Sequence, residues 1–267
     1  MKPTSFTGIR DYQDSLLQAF LDQEALMLYS RDHHLRLLHA WRHPRGFLAG
    51  SRDASLSVWN DTVTRLQQQK FYVLVRPFGG LSIPVDLGVL NLTLILPEEP
   101  SLDDAFEELA NWLAHSLTPF GHVTIGEVSG SYCPGRYDLS LKGSKIAGIA
   151  QRRAKGVVAV SAFINLFPSD YSRSGLVEAM YHAENVRYSS SFPSWIPQIH
   201  PSSMGDLLTI TDDERWIDPH FLLSLLHAVH PLHDTGVSLN EMLSPHMDEA
   251  TSRLKLKRNL NEWTPFN

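Results

Sequence analysis

Two apolar runs set the terms on which this chain can fold. Val157–Phe167 reads VVAVSAFINLF, without a charge, and Leu90–Leu96 reads LNLTLIL. Both are too short to span a bilayer; the first, rich in β-branched residues, reads as a long buried strand, and the second alternates and reads as a strand. Around them the helical period recurs. The run Asp14–Tyr29 sets Leu16, Leu17, Phe20, Leu21, Ala25 and Leu28 at helical spacing, with Asp14 as its expected N-cap. Val58–Gln69 reads as a second helix. Leu102–Leu117 reads as a third, opened by Ser101 with acidic residues in its first turn.

Further strands are expected at Leu35–Trp41 and Phe71–Val75, with a turn at His43-Pro44-Arg45-Gly46 between them. Val123–Phe167 reads as a β meander, with Asp138–Leu141 and Lys145–Gln151 flanking a hairpin turn at Lys142-Gly143-Ser144. Arg173–Glu184 is expected to be helical, and Ser189–Pro201, rich in serine and proline, a surface linker. Helices follow near Pro219–Val229 and Ser238–Arg258. The class is therefore α+β: a mixed or antiparallel sheet flanked by helices. Residues 1–201 form the expected main domain and residues 202–267 a helical C-terminal appendage.

A chain of 267 residues buries enough surface to need no covalent staples. Its 23 Lys+Arg against 29 Asp+Glu give a net charge of −6, which argues against a general nucleic-acid binder. The single cysteine, Cys133, excludes an internal disulfide and any multi-cysteine metal site within one chain, and suits a reducing cytosol. No apolar stretch is long enough for a membrane span, and MKPTSFTGIRDYQDS lacks the core of a signal peptide, so a cytoplasmic location is expected. His227, His230 and His233 do not make a metal site, because Pro231 interrupts their helical face. No Gly-x-Ser-x-Gly elbow is present.

Three stretches carry chemistry. In Arg76-Pro77-Phe78-Gly79-Gly80, paired glycines after a strand either let the backbone approach a ligand or simply make a tight turn. No Lys-Ser/Thr follows, so this is not a phosphate loop. In Ser131–Gly156, Cys133 stands before Pro134-Gly135, on a turn rather than inside an element. A reactive thiol needs nearby cations, and Arg136, Lys142 and Lys145 follow it. A hairpin would return Lys145 toward Cys133. The third stretch, Arg152-Arg153-Ala154-Lys155, is either a solvated turn or a basic rim that steers an acidic partner.

Together these segments resemble the superfamily of lipoate–protein ligases, octanoyltransferases and biotin ligases. GSRDASL, VRPFGGLSIPVDLGVLNLTLILP and GSYCPGRYDLSLKGSKIAGIAQRR are most similar to its octanoyl-[GcvH]:protein N-octanoyltransferase branch, over roughly residues 30–190. The resemblance implies the biotin/lipoate ligase catalytic fold and a two-step acyl transfer. Octanoyl leaves a lysine of the octanoylated glycine cleavage H protein, rests on a cysteine as a thioester, and passes to the lysine of lipoyl domains of 2-oxoacid dehydrogenase complexes. By position, Cys133 is the implied catalytic nucleophile and Lys145 the implied catalytic lysine, close to the thiol and the acyl carbonyl. Arg76, Gly79, Gly80, Ile146, Ala147 and Gly148 would line the acyl slot, and Asp86 and Asp138 would support it. Arg152, Arg153 and Lys155 would meet an acidic carrier surface. No metal or cofactor is implied beyond the octanoyl or lipoyl group carried covalently.

The chain departs from the ligase pattern. Ligases carry a third glycine and a His-Asp pair where Leu81 and Val85-Asp86 stand, and an asparagine where Tyr137 stands. The biotin ligase GRGRxGR segment is absent, and Phe78 replaces a serine common in the branch. Two other readings remain: an ATP-dependent lipoate–protein ligase that would survive loss of Cys133, and a carrier-binding module without turnover.

Overall fold

The computed structural model describes residues 3–187, 193–258, 262, 263 and 265. Its strands are β1 (Thr4–Asp11), β2 (Leu37–Arg42), β3 (Arg45–Ala49), β4 (Tyr72–Val75), β5 (Ile83–Asp86), β6 (Val89–Leu96), β7 (Val123–Ile125), β8 (Leu139–Leu141), β9 (Ser144–Ala154), β10 (Val157–Asn165), β11 (Leu232–Asp234) and β12 (Glu262–Trp263). Its helices are α1 (Leu16–His33), α2 (Trp59–Gln68), α3 (Leu102–Ser116), α4 (Arg173–Arg187), α5 (Leu207–Thr211), α6 (Pro219–Val229), α7 (Leu239–Leu243) and α8 (Met247–Arg258).

The two apolar runs lie side by side at the centre. β6 and β10 pair antiparallel from Val158↔Leu96 to Asn165↔Val89, inside an eight-stranded sheet ordered β11-β1-β2-β6-β10-β9-β8-β7. β1 runs parallel to both its neighbours, and the other pairs are antiparallel, so the sheet is mixed. A smaller sheet, β12-β4-β3-β5, packs beside it.

Alternation along β10 divides the interior in two. Val157, Ala159 and Phe163 face a core shared with α1, α4 and the small sheet. Val158, Val160, Ala162 and Ile164 face a second core under α3 and α6. With both faces covered, β6 is buried at every position.

Several expected elements differ in detail. Ser15, not Asp14, caps α1, its hydroxyl accepting from the Gln18 N–H at 3.1 Å. Ser101 caps α3 as expected, accepting from Asp104 N–H. The turn after β2 is shorter than expected, because Arg45 and Gly46 already belong to β3. β1 and β5 were not anticipated, since neither has a sustained apolar alternation. Part of the expected linker, residues 189–192, lies outside the described residues. The rest is not free of the body: Ile196 and Ile199 are buried in the first core. The C-terminal region is helical and enters both cores, Leu222 and Leu226 in one and Met242 and Leu254 in the other, while β11 extends the large sheet.

Candidate active site

Cys133 sits in the loop between β7 and β8. That loop is fastened at both ends: the Gly126 N–H donates to Asp138 O at 2.9 Å, and the His200 N–H donates to Gly130 O at 2.7 Å. Cys133 itself has φ +45°, a left-handed conformation that costs a non-glycine residue of order 1–2 kcal/mol. Strain of this kind persists only where the surroundings enforce it. The restraint is visible in the next residues. The Asp138 carboxylate accepts from the Gly135 N–H at 2.9 Å and pairs with Lys145 Nζ at 2.8 Å. Lys145 also donates to Tyr132 O at 3.0 Å and Cys133 O at 2.7 Å. Its side chain is 0% exposed and that of Asp138 1%, so the ammonium is enclosed and spent on the loop. Burial pushes the Asp138 carboxyl up to about 6, against the opposing pull of Lys145.

The thiol looks the other way, toward the loop after β4. The Leu81 N–H donates to Sγ at 3.2 Å, and Arg76 Nη2 lies 3.3 Å from Sγ and 2.7 Å from Leu81 O. Gly80, with φ +93°, makes this approach possible. A Cβ there would stand 2.6 Å from Arg76 Nη2 and 2.9 Å from Sγ. The turn reading of Gly79-Gly80 and the close-approach reading therefore describe the same loop. Asp53, in the GSRDASL segment, braces it from beneath. Its carboxylate accepts from the Gly50 N–H, Ser82 Oγ and Tyr181 OH at 2.8–3.0 Å, and burial raises its pKa.

A cleft of about 350 Å³ opens over the thiol. Arg76, Gly79, Gly80, Cys133 and Gly148 line it, with Phe106 and Phe163 as aromatic walls. Its volume is in the range of small-molecule pockets. Tyr137 closes one side, stacked on Phe106 with centroids 4.8 Å apart and its hydroxyl donating to Asp103 at 2.8 Å. Behind Arg76, Gly148 and Phe163 a second, much smaller space reaches inward to Trp41, Phe78 and Asn91. Two larger grooves run along α4, but neither contains Cys133. Among the described residues no group of three or more His, Cys, Asp or Glu could hold a metal ion. No helix of the described chain is long and apolar enough to cross a membrane.

The structure thus brings together Cys133, Arg76, Gly79, Gly80 and Gly148, with Lys145 immediately behind the thiol's backbone. It does not bring the others there. Ile146 and Ala147 turn their side chains into the second core, where they pack under α3. Arg152 is buried, its Nη2 paired with Glu24 at 2.7 Å, so it has no face to offer a partner. Arg153 and Lys155 are exposed, but Arg153 is tied back to Gln151 at 2.9 Å and to Pro100 O. Asp86 serves α4, accepting from Arg173 and from Tyr171 at 2.9 Å. The sequence did not reveal Leu81 N–H as a donor to sulfur, nor Phe163 as a wall. One signal for Phe163 was present. A glycine within a strand marks a close approach, and Gly148 pairs directly opposite Phe163.

Comparison with known proteins gives this geometry a family. Residues 15–214 match the model of the lipoyl protein ligase A/B catalytic domain. The chain belongs to that family. It is 36% identical over 184 residues to an octanoyl-[GcvH]:protein N-octanoyltransferase of Anoxybacillus flavithermus, a match spanning 68% of this chain and 66% of that one. It is 35% identical over 227 residues to a protein of the same name from Exiguobacterium sibiricum, spanning 84% and 81%. Matches to further relatives of that name cover 60–65% of their length. The fold is that of a bipartite lipoate protein ligase of Thermoplasma acidophilum, with a TM-score of 0.61 at 14% identity over 95% of this chain and 93% of that one.

Proposed function

We propose that this protein is an octanoyl-[GcvH]:protein N-octanoyltransferase working through a Cys133 thioester. The observation that carries the reading is the lone cysteine at the base of an apolar-walled cleft, its sulfur facing a cation and a backbone N–H. An amide is a poor electrophile, and covalent catalysis divides its exchange into two easier steps. In the first, the Cys133 sulfur attacks the octanoyl-lysine carbonyl, an S–C bond forms and the C–N bond breaks. The departing amine takes up one proton, balancing the one the cysteine gives up on becoming the nucleophile. In the second, the acceptor lysine amine attacks the thioester, an N–C bond forms, the C–S bond breaks, and the amine's proton returns to sulfur. No nucleotide or cofactor enters this balance. The acyl chain itself is held by apolar contact, at about 0.8 kcal/mol per buried methylene.

The proposed donor is the octanoylated glycine cleavage H protein, and the proposed acceptors are lipoyl domains of 2-oxoacid dehydrogenase complexes, met in the cytoplasm. Lys145 acts in this scheme by fixing the Cys133 backbone. Arg153 and Lys155 remain the candidate basic rim for an acidic carrier. The test is transfer from octanoylated H protein to an apo lipoyl domain without ATP. Acceptor octanoylation that disappears in Cys133→Ala supports the reading. Acceptor modification that requires ATP, magnesium and free octanoate and survives Cys133→Ala would replace it with a ligase.

A further inference from the structure

We infer that Arg76 is a catalytic residue, the counter-ion of the Cys133 thiolate and of the negative charge that forms on the acyl carbonyl oxygen. The inference deepens the transferase reading and rests on it for the identity of the acyl group, but not for the state of the thiol. Arg76 is only 6% exposed. A buried guanidinium is costly unless an anion faces it. Yet among the described residues no carboxylate lies within ion-pair distance of Arg76, and its Nε has no hydrogen-bond partner. Asp53, a buried acid that feels its charge, is engaged by Gly50, Ser82 and Tyr181. What stands in front of the guanidinium is the sulfur, 3.3 Å from Nη2.

The other cation is accounted for differently. Lys145 gives its hydrogens to Asp138, Tyr132 O and Cys133 O, so the pair is internally neutral and directed at the loop backbone. The division of labour follows from these partners. Lys145 with Asp138 enforces the left-handed backbone at Cys133, and that backbone aims Sγ at Arg76 and the Leu81 N–H. As the sulfur attacks, its charge moves onto the carbonyl oxygen beside it. The same two donors then serve an oxyanion, which is where fixed donors contribute most to rate. Gly80 is the residue that leaves room for this arrangement, because a Cβ would displace both the guanidinium and the sulfur.

The experiment measures Cys133 alkylation at pH 7 by intact mass, with no acyl carrier present. In wild type, negatively charged iodoacetate and neutral iodoacetamide are compared, with glutathione as the free-thiol reference. A cation at the sulfur raises the iodoacetate-to-iodoacetamide rate ratio above that of glutathione. In Arg76→Met the iodoacetamide rate should fall about tenfold or more, the weight of one adjacent opposite charge, and Arg76→Lys should recover most of it. A folded Arg76→Met protein alkylated at the wild-type rate overturns the inference and reduces Arg76 to lining the cleft. If Arg76→Met does not fold, the wild-type ratio decides, and a ratio equal to that of glutathione overturns it. The two readings fail separately. Arg76-dependent alkylation without octanoyl transfer refutes the transferase and leaves the thiolate partner assigned. Octanoyl transfer with alkylation indifferent to Arg76 does the reverse.

Discussion

Replacing Lys145 by methionine tests how the nucleophile's loop is held. The substitution keeps most of the stem and removes the charge facing Asp138 across 2.8 Å. Removing one partner of an enclosed pair costs about 3–5 kcal/mol, because the other charge is left without compensation. The cost should grow with pH, and Asp138 fixes the sign. Burial holds its carboxyl at about 6 in the folded chain, up from 3.8. A carboxyl with a higher folded than unfolded pKa binds more protons when folded, so stability falls as pH rises between the two values. In wild type that fall ends near 6. Without the pull of Lys145 the folded value climbs further, and the fall continues. Each additional unit costs about 1.4 kcal/mol. Urea denaturation of both proteins at pH 6 and pH 8 measures the difference directly. Lys145→Met should be destabilised more at pH 8, by about 1–3 kcal/mol beyond its deficit at pH 6. An equal deficit at the two pH values would refute the assignment of Asp138 as the charge left exposed.

Three further outcomes follow from named contacts. Arg152→Ala should lower stability by about 1–3 kcal/mol in urea, since among the described residues it leaves the buried Glu24 carboxylate only the longer 3.9 Å contact with Arg253. Reversing Arg153 and Lys155 together to Glu should leave stability within about 0.5 kcal/mol, as exposed positions do, and slow transfer to an acidic carrier most at low salt. Gly148→Ala should abolish octanoyl transfer while the chain stays folded by circular dichroism, because its Cβ would stand 2.5 Å from the Phe163 ring and 3.1 Å from Lys145 Cε.

The parts of this molecule legible in the sequence are those in which local pattern and tertiary role agree. β6 and β10 were plain because uncharged, largely apolar runs have nowhere to go but the centre of a covered sheet. The β8–β9 hairpin was plain because Lys142 and Gly143 supply the positive φ its turn needs. β1 was hidden for the opposite reason: it is half-exposed along most of its length. The return of Lys145 toward Cys133 follows from the hairpin, whereas the acyl-slot lining that the resemblance implied for Ile146 and Ala147 does not hold. A bulge between Leu139 and Ser140 sends Ile146 and Ala147 into the second core and reserves the cleft for Gly148. Arg152 shows the limit of composition. A cluster of cations in sequence says nothing about which of them points inward, and Glu24, its partner, lies 128 residues away.

The central claim is that the Cys133 sulfur carries the acyl group, and intact-protein mass spectrometry tests it most directly. The protein is mixed with octanoylated H protein, without ATP, and quenched in acid. The account predicts a gain of one octanoyl group, removed by hydroxylamine, absent in Cys133→Ala, and chased onto an added apo lipoyl domain. A lipoyl domain that becomes octanoylated while the enzyme never gains that mass, and equally well with Cys133→Ala, would contradict it.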